Sequence, residues 1–292
     1  MTLLEFFQEN TGFFIACIFI LGLLVGSFLN VVIYRLPIML ERSWRAQARE
    51  ILALEAVEET PKRFNLVLPD SCCPNCQRKI KAWENIPLVS WLCLKGRCAG
   101  CKQPISMRYP IVELLTGCFS AFIAYQFGVT WLMAAMLFLT WGLLAMSLID
   151  IDHQILPDNL TLPLVWLGLI VNSFGLITDL STAVYGAIFG YLSLWSVYWA
   201  FKLLTGKEGM GYGDFKLLAL IGAWGGWQVL PLTILLSSLV GAVLGIIILR
   251  LQNKGVMSNP LPFGPYLAIA GWIALIWGSN IQKFYFSISG IN

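Results

Sequence analysis

GMGYGDFK, residues 209–216, sets an acid, Asp214, behind three glycines spaced by two, Gly209, Gly211 and Gly213. The stretch opens an apolar run that continues LLALIGAW. A carboxylate at the edge of such a run is costly to desolvate, so it reads as functional. A second costly acid, Asp150, lies 64 residues earlier and closes the apolar run that begins near Trp131, in AMSLIDIDHQILPD. The reading that organises the rest of the chain is that these two acids meet.

The 292 residues are 58% hydrophobic and 12% charged, with a mean hydropathy of +0.75. Those values lie outside the soluble globular range and indicate a polytopic membrane protein. Apolar runs cover 13–34, 110–128, 130–149, 160–177, 182–204, 214–224, 227–249 and 262–281. Most are long enough to cross a bilayer as a helix. The run 214–224 is short, and reads as tilted, distorted or partly inserted. Residues 1–12 carry Glu5 and Glu9 and no basic residue, and no small-residue cleavage site follows the first run. That run therefore reads as a retained helix and not as a removable signal peptide.

Charge sets the orientation. Of 19 Lys and Arg, 13 fall between Arg35 and Arg108, and Lys202, Lys207 and Lys216 flank GYGD. Arg250 and Lys254 follow the seventh run, and Lys283 lies near the C-terminus. Eight spans with both termini outside put all but Lys283 on one face, which the positive-inside rule makes cytoplasmic. The net charge of +3 follows from this topology and gives no case for nucleic acid. Two spans, 160–177 and 182–204, separate the acids, so both lie on the same side at similar depth.

The first helix ends in GSFLNVVIYRLP, residues 26–37. Gly26 and Ser27 allow close helix packing. Asn30 is a polar group that needs a partner across the interface. Tyr34 and Arg35 mark the membrane boundary, and Pro37 is expected to stop the helix. Residues 38–68 are the one clearly polar segment, in which LERSWRAQAREILALEAVEET (40–60) reads as a helix of mixed charge, either solvated or resting Trp44, Ile51, Leu52 and Leu54 on an apolar surface. Pro110 opens the second span, and Glu113 lies a turn inside it, needing Arg108 or a water-filled cleft as partner. No internal repeat or low-complexity linker is evident.

Residues 69–109 are built around cysteines. CPNC (73–76) and CAGC (98–101) are separated by 21 residues. Two C-x2-C turns close a tetrahedral shell of four thiolates, which suits Zn2+ above other ions. Four sulfur ligands leave no open position, so the metal is expected to be structural. Cys73, Cys76, Cys98 and Cys101 are the expected ligands. Cys72 and Cys93 read as bystanders, and Cys17 and Cys118 as small core residues. The expected fold is an all-α polytopic membrane protein with about eight transmembrane helices and a small cytoplasmic zinc-binding domain. Its parts are a first helix (1–37), the cysteine domain (38–109) and a membrane domain that carries both acids (110–292).

His153 is the chain's single histidine, which excludes a multi-histidine metal centre and disfavours a serine triad with Ser147. Asp158, after Pro157, reads as a helix N-cap. Asp152 faces another side of any helix that carries Asp150. Lys216 is either a snorkelling anchor or a cation that tunes Asp214. In PLPFGPYLAI (260–269), Pro262, Phe263, Gly264 and Pro265 are expected to prevent a regular helix and to border the acids' cavity, with open peptide groups for a substrate strand.

Two carboxylates held close cannot both ionise; one keeps a proton while the other acts as base. Such a pair activates water against a peptide carbonyl and protonates the leaving amine. The glycines before Asp214 read as room for close approach of a ligand. An ion-coupled transporter is the rival reading, since intramembrane acids and broken helices also serve ions. Against it, these acids sit at helix ends and no repeat symmetry is seen. A scaffold built on the cysteine domain would leave the acids unexplained.

GSFLNVVIYRLP, the paired CxxC motifs, LIDIDHQILPD, GYGD and PFGP occur in an order that resembles the bacterial type IV prepilin peptidases, intramembrane aspartyl proteases of the GxGD type. The resemblance covers nearly the whole chain. It implies cleavage of the basic leader from type IV prepilins and type II secretion pseudopilins at the cytoplasmic face of the bacterial inner membrane, with Asp150 and Asp214 as the catalytic pair. The leader's basic residues would then meet acids such as Asp152 and Asp158. Many members also N-methylate the new N-terminal residue, usually phenylalanine, with S-adenosylmethionine; the cysteine domain and the first-helix motif are typical of those. No Rossmann-type fingerprint is present, so Asn30, Arg35, Arg108 and Glu113, which flank the cysteine domain's attachment points, are the candidates for the methyl-transfer site.

Overall fold

In a computed structural model of the chain, residues 2–53, 63–251 and 262–289 are described. The described residues are helical apart from loops and two isolated β-bridges, Cys72 with Lys79 and Arg97 with Pro104. The chain divides into two compact units, residues 1–141 and 142–292.

In the first unit, α1 (Leu3–Glu9) opens with a reciprocal capping box between Thr2 and Glu5. Helix α2 (Thr11–Ile51) follows, and α4 (Arg108–Phe127) packs along it. Small residues make that approach possible, as the sequence suggested. A methyl group at Gly22 would come within 2.8 Å of the Gly117 Cα, and one at Gly26 within 2.7 Å of the Glu113 Cα. Asn30 finds its cross-helix partner, donating from Nδ2 to the Tyr109 carbonyl at 3.2 Å.

Pro37 does not stop the helix: α2 runs through it for 41 residues. Proline removes one ladder bond, while the residues beyond it, LERSWRAQAREI, are mostly strong helix formers. Leu36 and Pro37 are buried, and Glu41 pairs with Arg45 one turn on. At 1.5 Å per residue α2 is about 60 Å long, twice the hydrocarbon thickness. Its exposed last turns, from Glu41 to Ile51, therefore reach beyond a bilayer.

Between α2 and α4 lies the cysteine segment, with a 3-10 turn at Ala82–Asn85 and the short helix α3 (Val89–Cys93). Arg35 anchors its start. The guanidinium donates to the carbonyls of Asn65 at 3.0 Å, Leu66 at 3.5 Å and Pro69 at 2.7 Å, while the Phe64 ring lies under both Arg35 and Arg42.

The second unit begins within α5 (Trp131–His153) and continues through α6 (Asp158–Ser173), α7 (Leu180–Thr205), α8 (Tyr212–Gly225), α9 (Leu230–Leu251) and α10 (Gly264–Ser289). Helix α8 is its centre, packed by α6, α7 and α10. From Leu217 to Trp224 every residue of α8 is buried, which fits a sequence apolar on all sides. Gly186 and Gly190 let α7 lie against it; a methyl at Gly190 would sit 2.6 Å from the Leu218 carbonyl oxygen. Asn172 of α6 closes the far end, donating to the carbonyls of Ala223 at 2.9 Å and Trp224 at 2.8 Å. Trp224 returns a bond from Nε1 to the Leu164 carbonyl at 2.9 Å.

Each of the eight apolar runs carries a helix. Among the described residues, five segments are long and apolar enough to cross a membrane: Thr11–Ile51, Arg108–Phe127, Trp131–His153, Leu180–Thr205 and Trp227–Ile247. Helices α6 and α8, at 16 and 14 residues, rise only about 24 and 21 Å. For α8 the shortness has a reason: it is surrounded by other helices and presents little surface for lipid to match.

Candidate active site

Asp150 lies one turn before the end of α5 and is 6% exposed. Its Oδ2 accepts the backbone N–H of Gly264 at 3.0 Å. Gly264 is the first residue of α10, so this N–H is one of the donors that a helix N-terminus leaves without an internal acceptor. The positive end of the helix dipole adds to the attraction. The PFGP stretch thus differs from expectation in two respects. Its irregular backbone ends at Phe263, and Gly264 and Pro265 already belong to the helix, because Pro is compatible with a first helical turn that needs no donor from it. The segment does border the acids, but the Gly264 peptide group is engaged by Asp150 instead of standing open.

Asp214 is the third residue of α8 and is 7% exposed. Gly211 is the N-cap, and the Asp214 carboxylate turns back toward its backbone, the position of the acidic partner in a capping box. Asp150 and Asp214 lie close enough to interact electrostatically. Both are therefore buried and within electrostatic reach of each other, each with a helix N-terminus beside it. Two helices, α6 and α7, separate them in sequence.

The glycines serve the protein more than a ligand. A β-carbon at Gly213 would lie 2.8 Å from the Leu156 Cβ, and one at Gly209 would lie 2.9 Å from the Phe201 ring. Gly211 alone of the three is open, with nothing nearer than 3.8 Å. The loop before α8 is held by Lys202, which binds Glu208 at 2.8 Å and the Tyr198 hydroxyl at 3.2 Å. The Lys202 ammonium holds the Glu208 carboxyl below its ordinary range. Tyr198 is buried and packs on Tyr212 and Phe215, on either side of Asp214.

Asp158 is not an N-cap. Pro157 holds that position, and Asp158, the first residue of α6, takes a two-pronged ion pair from Lys216 at 2.7 and 2.8 Å. Lys216 is thus ion-paired, and Asp158 meets a cation of this chain before any leader residue. Asp152 and His153 are exposed. Ser147 bonds back to the Leu143 carbonyl at 2.7 Å, which removes it further from a nucleophile's role.

In the first unit, the sulfur atoms of Cys73, Cys76, Cys98 and Cys101 all lie within 4.8 Å of one another. The Sγ atoms of Cys73 and Cys101 are 3.8 Å apart. Tetrahedral Zn–S bonds of about 2.3 Å require S···S distances of about 3.8 Å, so the donor set fits zinc in both chemistry and size. Cys72 and Cys93 are exposed and stand outside the cluster, as expected. Each CxxC sits in a knuckle closed by a β-bridge, and the two knuckles match at an offset of 25 residues. Cys73 N–H donates to Arg78 and Cys98 N–H to Gln103, while Gln77 and Lys102 hold the left-handed position in each. This repeat was not evident from sequence, because the knuckles share little besides their cysteines. Backbone N–H groups of Cys101 and Gly100 draw the Cys98 thiol down to about 6. At Cys101 the Gln103 amide also pulls down, but burial and the neighbouring thiols push it up to about 11. Arg78 lies beside the cluster and is held by the buried Glu84 at 2.7 Å.

Glu113 is buried, and its Oε2 accepts the Leu88 N–H at 2.9 Å, with Ser27 also beside it. Leu88 has φ +59°, uncommon for a leucine, and is the N-cap of α3. The acid therefore pins a strained turn of the cysteine segment to α4. Asn30, Arg35 and Glu113 thus all tie backbone together where this segment joins α2 and α4. The side chains that sequence reading missed are Leu156, one apolar residue among many, and Asn172, hidden in a run read as a plain span. The Gly264 donor is a backbone group, signalled only by the break in PFGP.

The family model described as Bacterial Peptidase A24 N-terminal domain matches residues 20–127, and that described as Type IV leader peptidase family matches residues 137–246. The chain is 65% identical to the prepilin leader peptidase/N-methyltransferase of Stutzerimonas stutzeri, over 98% of each chain. It is 63% identical to the protein of that name in Pseudomonas aeruginosa, over 99% of each. The Pseudomonas putida protein of the same name is 59% identical, over 99% of this chain and 100% of its own. No solved structure matches significantly. With two buried acids at helix N-termini and relatives matched end to end, this multi-pass membrane chain belongs to the type IV leader peptidase family.

Proposed function

We infer that this chain is a prepilin leader peptidase and N-methyltransferase, with Asp150 and Asp214 as its peptidase pair. The observation that carries the reading is that these two buried acids, 64 residues apart in sequence, lie within electrostatic reach of each other. Two such carboxylates hold one proton between them. The ionised member takes a proton from water as it attacks the peptide carbonyl. The protonated member donates its proton to the carbonyl oxygen; the member that took water's proton then passes it to the departing amine, while the first recovers its own as the carbonyl re-forms. Gly264 N–H and the first turn of α8 keep both acids oriented. Relatives that share the whole length are named for both activities, which favours this reading over an ion-coupled transporter.

Type IV prepilins are the proposed substrates, with type II secretion pseudopilins as a further class. The basic residues between Arg35 and Arg108 support placing the cysteine segment in the cytoplasm and the protein in the bacterial inner membrane. Cys73, Cys76, Cys98 and Cys101 would hold a structural Zn2+, which cross-links the two knuckles. S-adenosylmethionine supplies the methyl group when bound. Asn30, Arg35, Arg108 and Glu113 remain the candidates for its surroundings, Glu113 by virtue of a buried carboxylate at the segment's joint.

The test is one mass measurement. Purified protein is incubated with a prepilin, with and without S-adenosylmethionine. The expected products are the mature pilin without the cofactor and the same pilin one methyl heavier with it. An unchanged prepilin mass in both reactions would remove the reading.

A further inference from the structure

We propose that Leu156 is a positioning residue for the two acids: its side chain, seated between Gly213 and Gly264, sets the separation at which Asp150 and Asp214 are held. The proposal rests on the peptidase reading. Leu156 lies in the short link between α5 and α6, where Gln154, at φ +55°, turns the chain out of the helix that carries Asp150. The side chain is 9% exposed. A β-carbon at Gly213 would meet its Cβ at 2.8 Å, Cδ1 at 3.2 Å and Cγ at 3.4 Å. A β-carbon at Gly264 would meet Asp150 Oδ2 at 2.6 Å and Leu156 Cδ1 at 3.3 Å.

Leu156 therefore touches both glycines. One is the residue before Asp214, at the start of α8. The other begins α10 and donates its N–H to Asp150. The segment that leaves Asp150 thus returns to stand between the two helix N-termini that serve the acids. Leucine has no group that could react, so its effect is on distance alone. A smaller side chain lets the starts of α8 and α10 close on the void, and a β-carbon on either glycine forces them apart. Displacing catalytic groups by about 1 Å costs on the order of 100-fold in rate. The residue types at Gly213 and Gly264 follow from the same packing: both are bare because Leu156 and Asp150 occupy the space.

The experiment measures steady-state prepilin cleavage and, separately, methylation of a pilin already freed of its leader. Leu156→Ala is expected to lower kcat about 10- to 100-fold with KM within about threefold, and to leave methylation within about twofold. Leu156→Met, of similar volume, is expected to retain cleavage within about threefold. Gly213→Ala is expected to lose more than about 100-fold in kcat, and adding Leu156→Gly to recover at least about tenfold of that loss, because every crowding atom is then gone. Wild-type kcat in Leu156→Ala, no recovery in the double variant, or equal loss of cleavage, methylation and thermal stability would each overturn the proposal. Failure of the wild-type protein to cut prepilin is a different result, and sinks the peptidase reading first.

Discussion

Lys216 presents its ammonium to both carboxylate oxygens of Asp158, at 2.7 and 2.8 Å, and so ties the second turn of α8 to the first turn of α6. The two side chains are 31% and 51% exposed, so the pair contributes at most about 1 kcal/mol to stability. It braces the acidic end of α8 against α6. Lys216→Met is therefore expected to keep prepilin cleavage within about threefold, with most of any change in KM. A loss of kcat beyond about 100-fold would instead make Lys216 a cation acting on Asp214.

Metal analysis tests the cysteine cluster. The purified protein is expected to carry one zinc per chain, retained in Cys72→Ser and Cys93→Ser, which lie outside the cluster. Cys73→Ser and Cys98→Ser are expected to lose it and to expose the segment to proteolysis, because each removes one of four ligands. Zinc retained at full occupancy in both ligand variants would contradict the assignment.

Asp179 caps α7, accepting the Thr182 N–H at 2.8 Å and the hydroxyls of Ser181 and Thr182. The Ser181 hydroxyl first, then the Thr182 amide and hydroxyl, hold its carboxyl at about 2, below the usual 3.8. A depressed pKa means that the cap stabilises the fold fully above about pH 4, and that this contribution is lost as pH falls toward 2. Asp179→Ala is expected to melt below wild type at pH 7, with the gap shrinking on acidification through this window. A gap that stays constant down to pH 2 would show that the carboxylate is not the cap.

Asn172 is 1% exposed and serves three backbone groups: the carbonyls of Ala223 and Trp224, and the Thr178 N–H at 3.1 Å. Asn172→Ala leaves these without their partner, at a cost of about 1–3 kcal/mol. The expected readout is a lower melting temperature with S-adenosylmethionine-dependent methylation preserved at temperatures where the protein is folded. An unchanged melting temperature would mean that the far end of α8 is held by other contacts, such as the Trp224 bond to Leu164.

The acids and the cysteines were legible because their chemistry contradicts their surroundings. Asp150 and Asp214 are charges where apolar residues prevail, and CxxC spacing has few structural uses. The misreadings are cases where a partner far along the chain decides. Asp158 has the local look of an N-cap, but its partner lies 58 residues on, in α8. Pro37 carries a strong local signal for a helix end, yet the helix formers beyond it and the burial of Leu36 and Pro37 outweigh one missing bond. Leu156 could not be read at all, and the Gly264 amide only through the break in PFGP. One is an ordinary leucine and the other a main-chain group, and each gains its meaning only from what the fold sets beside it.

The account stands on the joint action of Asp150 and Asp214, and the most direct measurement is mass spectrometry of a prepilin after incubation with Asp150→Asn and Asp214→Asn, each nearly isosteric with the acid it replaces. Both variants are expected to leave the prepilin at full mass while still methylating a pilin that already lacks its leader. Mature pilin formed at the wild-type rate by either variant would contradict the account.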